Sequence, residues 1–438
     1  MNFKHLFAVP VLVVLGVACS SADAPPAPVI PIPSFVLGSD CNVPIEPQQL
    51  FSTNQRANGN RVVAGCGAVP RVEPIDIPLS GTPAWVVAAP FGDSTLWVTV
   101  SEEGVVEAFL VAGRELTRYD ITLDRLPPGM PPLLEARDGG FTLLTSLGTD
   151  TSTLTTPAVL SPSGRVVTIH TDGSVTITGD EAAMLPLNAL PDARVLTDDR
   201  DRFLLLTGAT TRYGHGVVGD SFEAASITLV ETTPAVRVVT TINLPGDDVV
   251  EGIAPIWADM NGDGVREIIV TVSNQDVGAR LVVFNEEGER VAEGPSIGLG
   301  FRWRHQLALA PFGPNGEVEL VDVLTPHIGG GVEFFQLSGT ELVRVARVLG
   351  YTTHMIGSRN LDMALAGDVD GDGNVELLVP SEDFRSLGGL RRTAGGAEAA
   401  WTVPVGGRVT TNLAGVTAPN GRMSIGVGRD DAVLRVWP

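Results

Sequence analysis

Two short stretches carry enough closely spaced oxygen ligands to hold a hard cation. In one, Asp259, Asn261, Asp263, Val265 and Glu267 occupy positions 1, 3, 5, 7 and 9 of a loop. In the other, Asp368, Asp370, Asp372, Asn374 and Glu376 repeat that spacing. Gly264 and Gly373 stand at position 6, where a sharp turn is needed, and position 7 offers its backbone carbonyl. Ca²⁺ takes several oxygens from one tight loop, with enough negative charge to offset its dehydration, so Ca²⁺ is the expected cofactor.

A second set of side chains could act near neutral pH. His215, His305, His327 and His354 lie in or beside Gly-rich loops, with Arg302, Arg304, Arg359 and Arg385 in the same class of segment. Such a patch could bind a metal, a carboxylate or a sugar, or carry acid/base work. His in packed loops also bonds neighbouring backbone, and that plainer role fits the same residues. Trp257 and Trp303 read as core. No nucleophile elbow, zinc-protease helix, P-loop or dinucleotide fingerprint occurs, and no catalytic carboxylate pair remains once the loop carboxylates go to Ca²⁺.

The elements that position these residues are short strands. After each acidic loop comes a β-branched or leucine run, Ile268-Ile269-Val270 or Leu377-Leu378-Val379. An EF-hand needs a bidentate Glu at position 12 and helices on both sides. Position 12 is Val270 or Val379, so the unit is strand–loop–strand with Glu at position 9 as the ligand. The run from Glu267 aligns without a gap on the run from Glu319, and Pro311 to Gly316 is a degenerate copy of the loop that has lost its carboxylates. Starts near 253, 306 and 361 give a period of about 50 residues, that of a four-stranded propeller blade. Further starts are expected near Ala84, Pro132 and Asp192.

In these residues the chain resembles the FG-GAP/VCBS repeat family, bacterial lipoproteins included, whose integrin-alpha-like repeats are blades of a β-propeller. The resemblance implies Ca²⁺ in the turn between a blade's first two strands, and an adhesion or scaffold role. The expected fold is therefore all-β, a seven-bladed propeller with Ca²⁺ loops between strands 1 and 2 of two blades; six or eight blades also suit the pattern. Val409 to Trp437 supplies only three strands, so a strand from Ala68 to Leu79 is expected to close the last blade. With that strand order the acidic loops lie on one face of the disk, and the histidine loops lie on the other.

Composition narrows the partners. A net charge of −22 opposes nucleic acid and anionic membrane surfaces. Residues 1–18 read as a secretory signal, with Lys4 and His5 before an apolar core. The segment ends Leu15-Gly16-Val17-Ala18-Cys19, which resembles a bacterial lipobox with Cys19 as the lipidated residue. Residues 19–34 then read as a lipidated Cys and Pro-rich tether, 35–67 as an irregular segment stapled by a Cys41–Cys66 disulfide, and 68–438 as the propeller. The expected molecule is an exported outer-membrane lipoprotein, periplasmic or surface-exposed, touching the membrane only through its lipid. Its expected work is binding, adhesion or scaffolding, with a protein or polysaccharide partner. The alternatives are a Ca²⁺-dependent polysaccharide lyase or hydrolase using the His/Arg face, and a structural subunit of an envelope machine.

Overall fold

In the computed structural model, residues 49–57, 59–137, 140–145, 148–179 and 182–438 are described. The signal segment, Cys19, the tether and Cys41 lie outside them. The described residues form strands and turns, with no helix among them.

The chain is laid down as consecutive antiparallel meanders, in a propeller-like succession. Pro83–Phe91, Ser94–Ser101, Val106–Ala112 and Glu115–Arg118 make one four-stranded sheet. A hairpin, Leu133–Arg137 with Gly140–Leu144, and a small sheet from Ala158–Val159 to Ala183–Leu185 follow. Four-strand meanders then begin at Leu196–Thr197, Ile256–Ala258, Arg304–Ala310 and Leu365–Asp368. The last sheet combines Val409–Thr417, Met423–Arg429 and Val433–Trp437 with Ile75–Pro78, which pairs antiparallel to Val433–Trp437. A strand taken from near the beginning of the chain thus covers the edge that the final three strands would leave open.

Burial follows position within each meander. Glu267–Ser273 and Glu376–Pro380 are buried along their whole length, as expected of continuous apolar runs. The outer strand Gly396–Pro404 is largely solvated. Where sheets meet, glycine makes room: a Cβ on Gly426 would lie 2.2 Å from the ring of Trp97.

The segment 49–67 is not an appendage. Phe51–Ser52 pairs with the strand Arg304–Ala310, and Val63–Cys66 runs parallel to Leu365–Asp368. Between these pairings its side chains reach the inner strands of other sheets. Thr53 Oγ1 donates to Ala364 O at 2.9 Å, and Asn54 Nδ2 donates to Gly415 O at 3.2 Å. Gln55 Nε2 donates to Pro132 O at 2.5 Å, and Gln49 O accepts from Asp259 N–H at 2.9 Å. Residues 51–55 are buried. A polar strap therefore lies against the first strands Arg304–Ala310 and Leu365–Asp368. Its side-chain amides and hydroxyl donate to backbone carbonyls of other segments, which lets polar sequence lie inside. Cys66, at its end, is disulfide-bonded; its expected partner Cys41 lies outside the described residues.

Candidate functional site

Both acidic loops join a first strand to a second. The earlier one connects Ile256–Ala258 to Glu267–Ser273, and the later one connects Leu365–Asp368 to Glu376–Pro380. Gly264 and Gly373 have φ of 88° and 89°, a region that penalises any side chain.

The earlier loop closes on itself. Asp259 accepts from Gly262 N–H at 2.7 Å and from Gly264 N–H at 2.9 Å, using one carboxylate oxygen for each. Glu267 accepts Met260 N–H at 2.7 Å on one oxygen and Asn261 Nδ2 at 2.8 Å on the other. The Asn261 amide also donates to Asp263 at 3.1 Å. Asn261, Asp263 and Val265 are exposed.

The later loop is built differently. Asp368, Asp370 and Glu376 are buried, each with a carboxylate oxygen within 4.8 Å of the others. Asp368 Oδ1 and Glu376 Oε1 are buried with no hydrogen-bond partner among the described residues. Burial pushes the Asp368 carboxyl up to about 6. Burial and then the Asp370 and Asp372 charges push Glu376 up to about 9. Trp401 Nε1 donates to Asp370 at 3.0 Å, and Arg391 pairs with Asp372 at 2.7 Å. Asn374 is exposed, and its amide donates to Asp372 at 2.8 Å. The strap braces the backbone: Gly67 N–H donates to Asp368 O at 2.7 Å and Val69 N–H to Val369 O at 3.2 Å. Buried carboxylates with bare oxygens cost free energy unless a cation offsets them, so this donor set fits a divalent ion.

Three of the four singled-out histidines, His305, His327 and His354, gather around Trp303, which the sequence marked only as core. Its indole stacks on His305 at 4.7 Å and on His327 at 6.0 Å, and meets His354 edge-on at 5.1 Å. His354 Nε2 lies 2.7 Å from the carbonyl of Ser358, which can only accept. That fixes the His354 proton on Nε2 and leaves Nδ1 to accept from His327 Nε2–H, 3.3 Å away. His327 Nδ1 is then a bare lone pair, and it is buried without a partner among the described residues. Burial lowers the His354 pKa to about 4, holds His305 well below its ordinary value and lowers His327 too. These three imidazoles are neutral at pH 7. His305 lies inside the strand Arg304–Ala310, bonded to Thr353 Oγ1 at 2.8 Å.

His215 is held by its Nδ1 against Glu251, which also accepts Ser273 Oγ–H at 2.5 Å. Its ring stacks on Phe301 at 5.2 Å. Glu223 nearby is pushed up to about 9, by burial and then by the Glu251 charge. Beside His327 and His354 opens a cleft of about 490 Å³, lined also by Ile356, Glu382, Phe384 and Arg408. The Arg408 guanidinium lies over the Phe384 ring at 5.2 Å. Thr325 and Phe384, at its margin, have φ of 48° and 60°, strained values for a β-branched and a bulky residue. A larger surface concavity, about 730 Å³ between 290–295 and 340–344, is lined by outer strands and lacks such converging groups.

The arginines divide. Arg304 points into the core, where its Nη1 meets Asp322 at 2.8 Å and Glu333 at 2.9 Å. It does not join the histidines, because two buried carboxylates on adjacent strands claim it. Arg359 is taken up by Asp192 at 3.0 Å and by Asp220. Arg302 and Arg385 are exposed. Sequence reasoning missed Glu251, Phe301 and Arg408; only spatial neighbourhood marks them. His170, just past the strand Val166–Ile169, bonds Thr176 Oγ1 at 2.6 Å.

No protein-family model matches the sequence, and no curated protein matches it. Among solved structures, a chain of the mitotic checkpoint complex is 12% identical with a TM-score of 0.42, covering 84% of this chain and 95% of that one. Saccharomyces cerevisiae Sqt1 is 9% identical at TM-score 0.39, covering 86% and 99%. BBS1N, solved in complex with ARL6DN, is 10% identical at TM-score 0.43, covering 83% and 95%.

Proposed function

We propose that this chain is a calcium-stabilised, seven-bladed β-propeller lipoprotein of the cell envelope that binds a protein or polysaccharide partner. The observation that carries the binding reading is the apolar fringe around the histidine cluster. Ile328, Ile356 and Leu299 are 74%, 71% and 70% exposed, and Phe222 and Phe301 are each half exposed. All five lie in loops that lead out of second strands or into first strands. Contiguous exposed apolar side chains around a rigid polar floor are a feature of interaction surfaces. The reading of seven blades takes the hairpin and small sheet at 133–185 as one unit. Two bound Ca²⁺ ions would stiffen the acidic loops, with the later loop supplying more charge.

The test is binding of the purified protein to envelope polysaccharide and to envelope protein fractions, with wild type beside Ile328→Asp/Ile356→Asp. Loss of binding in a variant that melts like wild type supports the reading. Equal binding by both overturns it.

One observation favours the enzymatic alternative, a Ca²⁺-dependent polysaccharide lyase or hydrolase: a carboxylate orients His215, as a general base requires. Turnover of an envelope polysaccharide that His215→Asn abolishes would establish it.

A further inference from the structure

The polar strap places the half-buried Arg56 beside a small cavity that has no carboxylate among its described lining residues. Arg56 and Arg194 line one internal cavity of about 40 Å³, together with Gln55, Asn60 and Thr156. Arg194 is 6% exposed; its Nη1 meets Asp362 at 2.8 Å and Gln55 Oε1 at 2.7 Å. Its Nε and Nη2 are buried with no hydrogen-bond partner among the described residues, and so is Thr156 Oγ1. Arg56 donates to Gly415 O at 2.8 Å and has no carboxylate within ion-pairing distance among the described residues. Arg61 stands near it, and burial followed by the Arg61 charge lowers Arg56 to about 10. Asp362 does not line the cavity, so Arg56 and Arg194 border it with no carboxylate among its described lining residues.

Water can satisfy the free donors, but it cannot balance the charge. An uncompensated buried ion is costly, and a counter-ion removes that cost. About 40 Å³ admits one or two solvent-sized species and excludes a sugar or a nucleotide. We propose that this cavity binds a small monovalent inorganic anion, chloride in the first instance, held by Arg56, Arg194 and Thr156. The ion would lock the strap to the inner strands at 132–133 and 194–197. Its lining includes no residue of either acidic loop and no histidine.

The experiment is thermal unfolding of the purified protein at fixed Ca²⁺ and fixed ionic strength. Sodium gluconate, whose anion is too large to enter, is replaced stepwise by sodium chloride or bromide. A saturable rise in melting temperature of about 2 °C is expected. Arg56→Gln should abolish the rise. Thr156→Val keeps the shape and the charge and should weaken the halide midpoint several-fold, which tests the site even if Arg56→Gln folds poorly. Crystals grown in bromide should give an anomalous peak between Arg56 and Arg194. A melting temperature indifferent to halide, an equal rise in Thr156→Val and wild type, or bromide-grown crystals with no peak in the cavity would each overturn the proposal.

Discussion

The two acidic loops share ligand spacing, glycine positions and the strands on either side, yet they have different interiors. In the loop at 259–267 every carboxylate oxygen of Asp259 and Glu267 already accepts a hydrogen bond. In the loop at 368–376, Asp368 Oδ1 and Glu376 Oε1 accept none. Much of the difference traces to position 3. Asn261 has an amide that donates to Glu267 and Asp263 at once, so the earlier loop satisfies its own carboxylate oxygens. Asp370 has no such donor, and the strap and Trp401 bury the surplus charge. Ligand spacing thus makes a site possible, and the donors around it decide how strongly it needs an ion.

The largest effect is expected at Glu376. With Ca²⁺ at about 100 times its dissociation constant, the bound ion contributes about 3 kcal/mol. Glu376→Gln should remove most of that, read as the gap in melting temperature between Ca²⁺ and chelator. In chelator alone the same variant should be no less stable than wild type, because a carboxyl pushed up to about 9 is already protonated at neutral pH and the amide is its neutral isostere. A variant less stable than wild type by the same amount in both conditions would contradict the account.

His354 provides a comparison remote from both loops. The unfolded chain takes up its proton near 6.5, while the folded chain does so only near 4. The contribution is therefore whole above pH 6.5 and is lost as pH falls toward 4, by at most about 3 kcal/mol. Urea unfolding between these limits should show a smaller pH slope in His354→Gln than in wild type, and equal slopes would exclude His354 as the source.

Position 3 can be exchanged directly. Asn261→Asp removes the self-bridging amide and adds a charge, so calorimetry should record about tenfold tighter Ca²⁺ binding at the earlier loop, about 1.4 kcal/mol. Asp370→Asn should weaken the later loop by a similar factor. If neither exchange moves the titration, position 3 is not the origin of the difference. The smallest effect is expected from Trp401→Phe, which deletes one hydrogen bond to Asp370. It should cost about 1 kcal/mol of Ca²⁺-dependent stability at the later loop and leave the earlier loop unchanged.

Legibility from sequence followed locality. The strand after each acidic loop could be read because its residues are adjacent and its apolar run is continuous. The edge strand at Ile75–Pro78 could be read because the last meander lacked one. The gathering of His215, His327 and His354 followed from strand order, which sends alternate connections to opposite faces. Arg304 could not be placed, because its partners Asp322 and Glu333 come from two later strands and decide which way it turns. The strap at 49–67 was equally hidden. Polar residues such as Asn54 and Gln55 read as surface until distant backbone groups are available to bond them.

The sequence alone determined an all-β chain of repeated hairpins, two oxygen-rich turns and an acidic surface, since these rest on periodicity, spacing and composition. Tertiary structure alone decided which turn keeps bare buried oxygens, which histidine keeps an unshared lone pair and where the buried arginines meet. Each of those outcomes depends on which donors and acceptors from remote segments arrive within about 3 Å, a distance that no local pattern encodes.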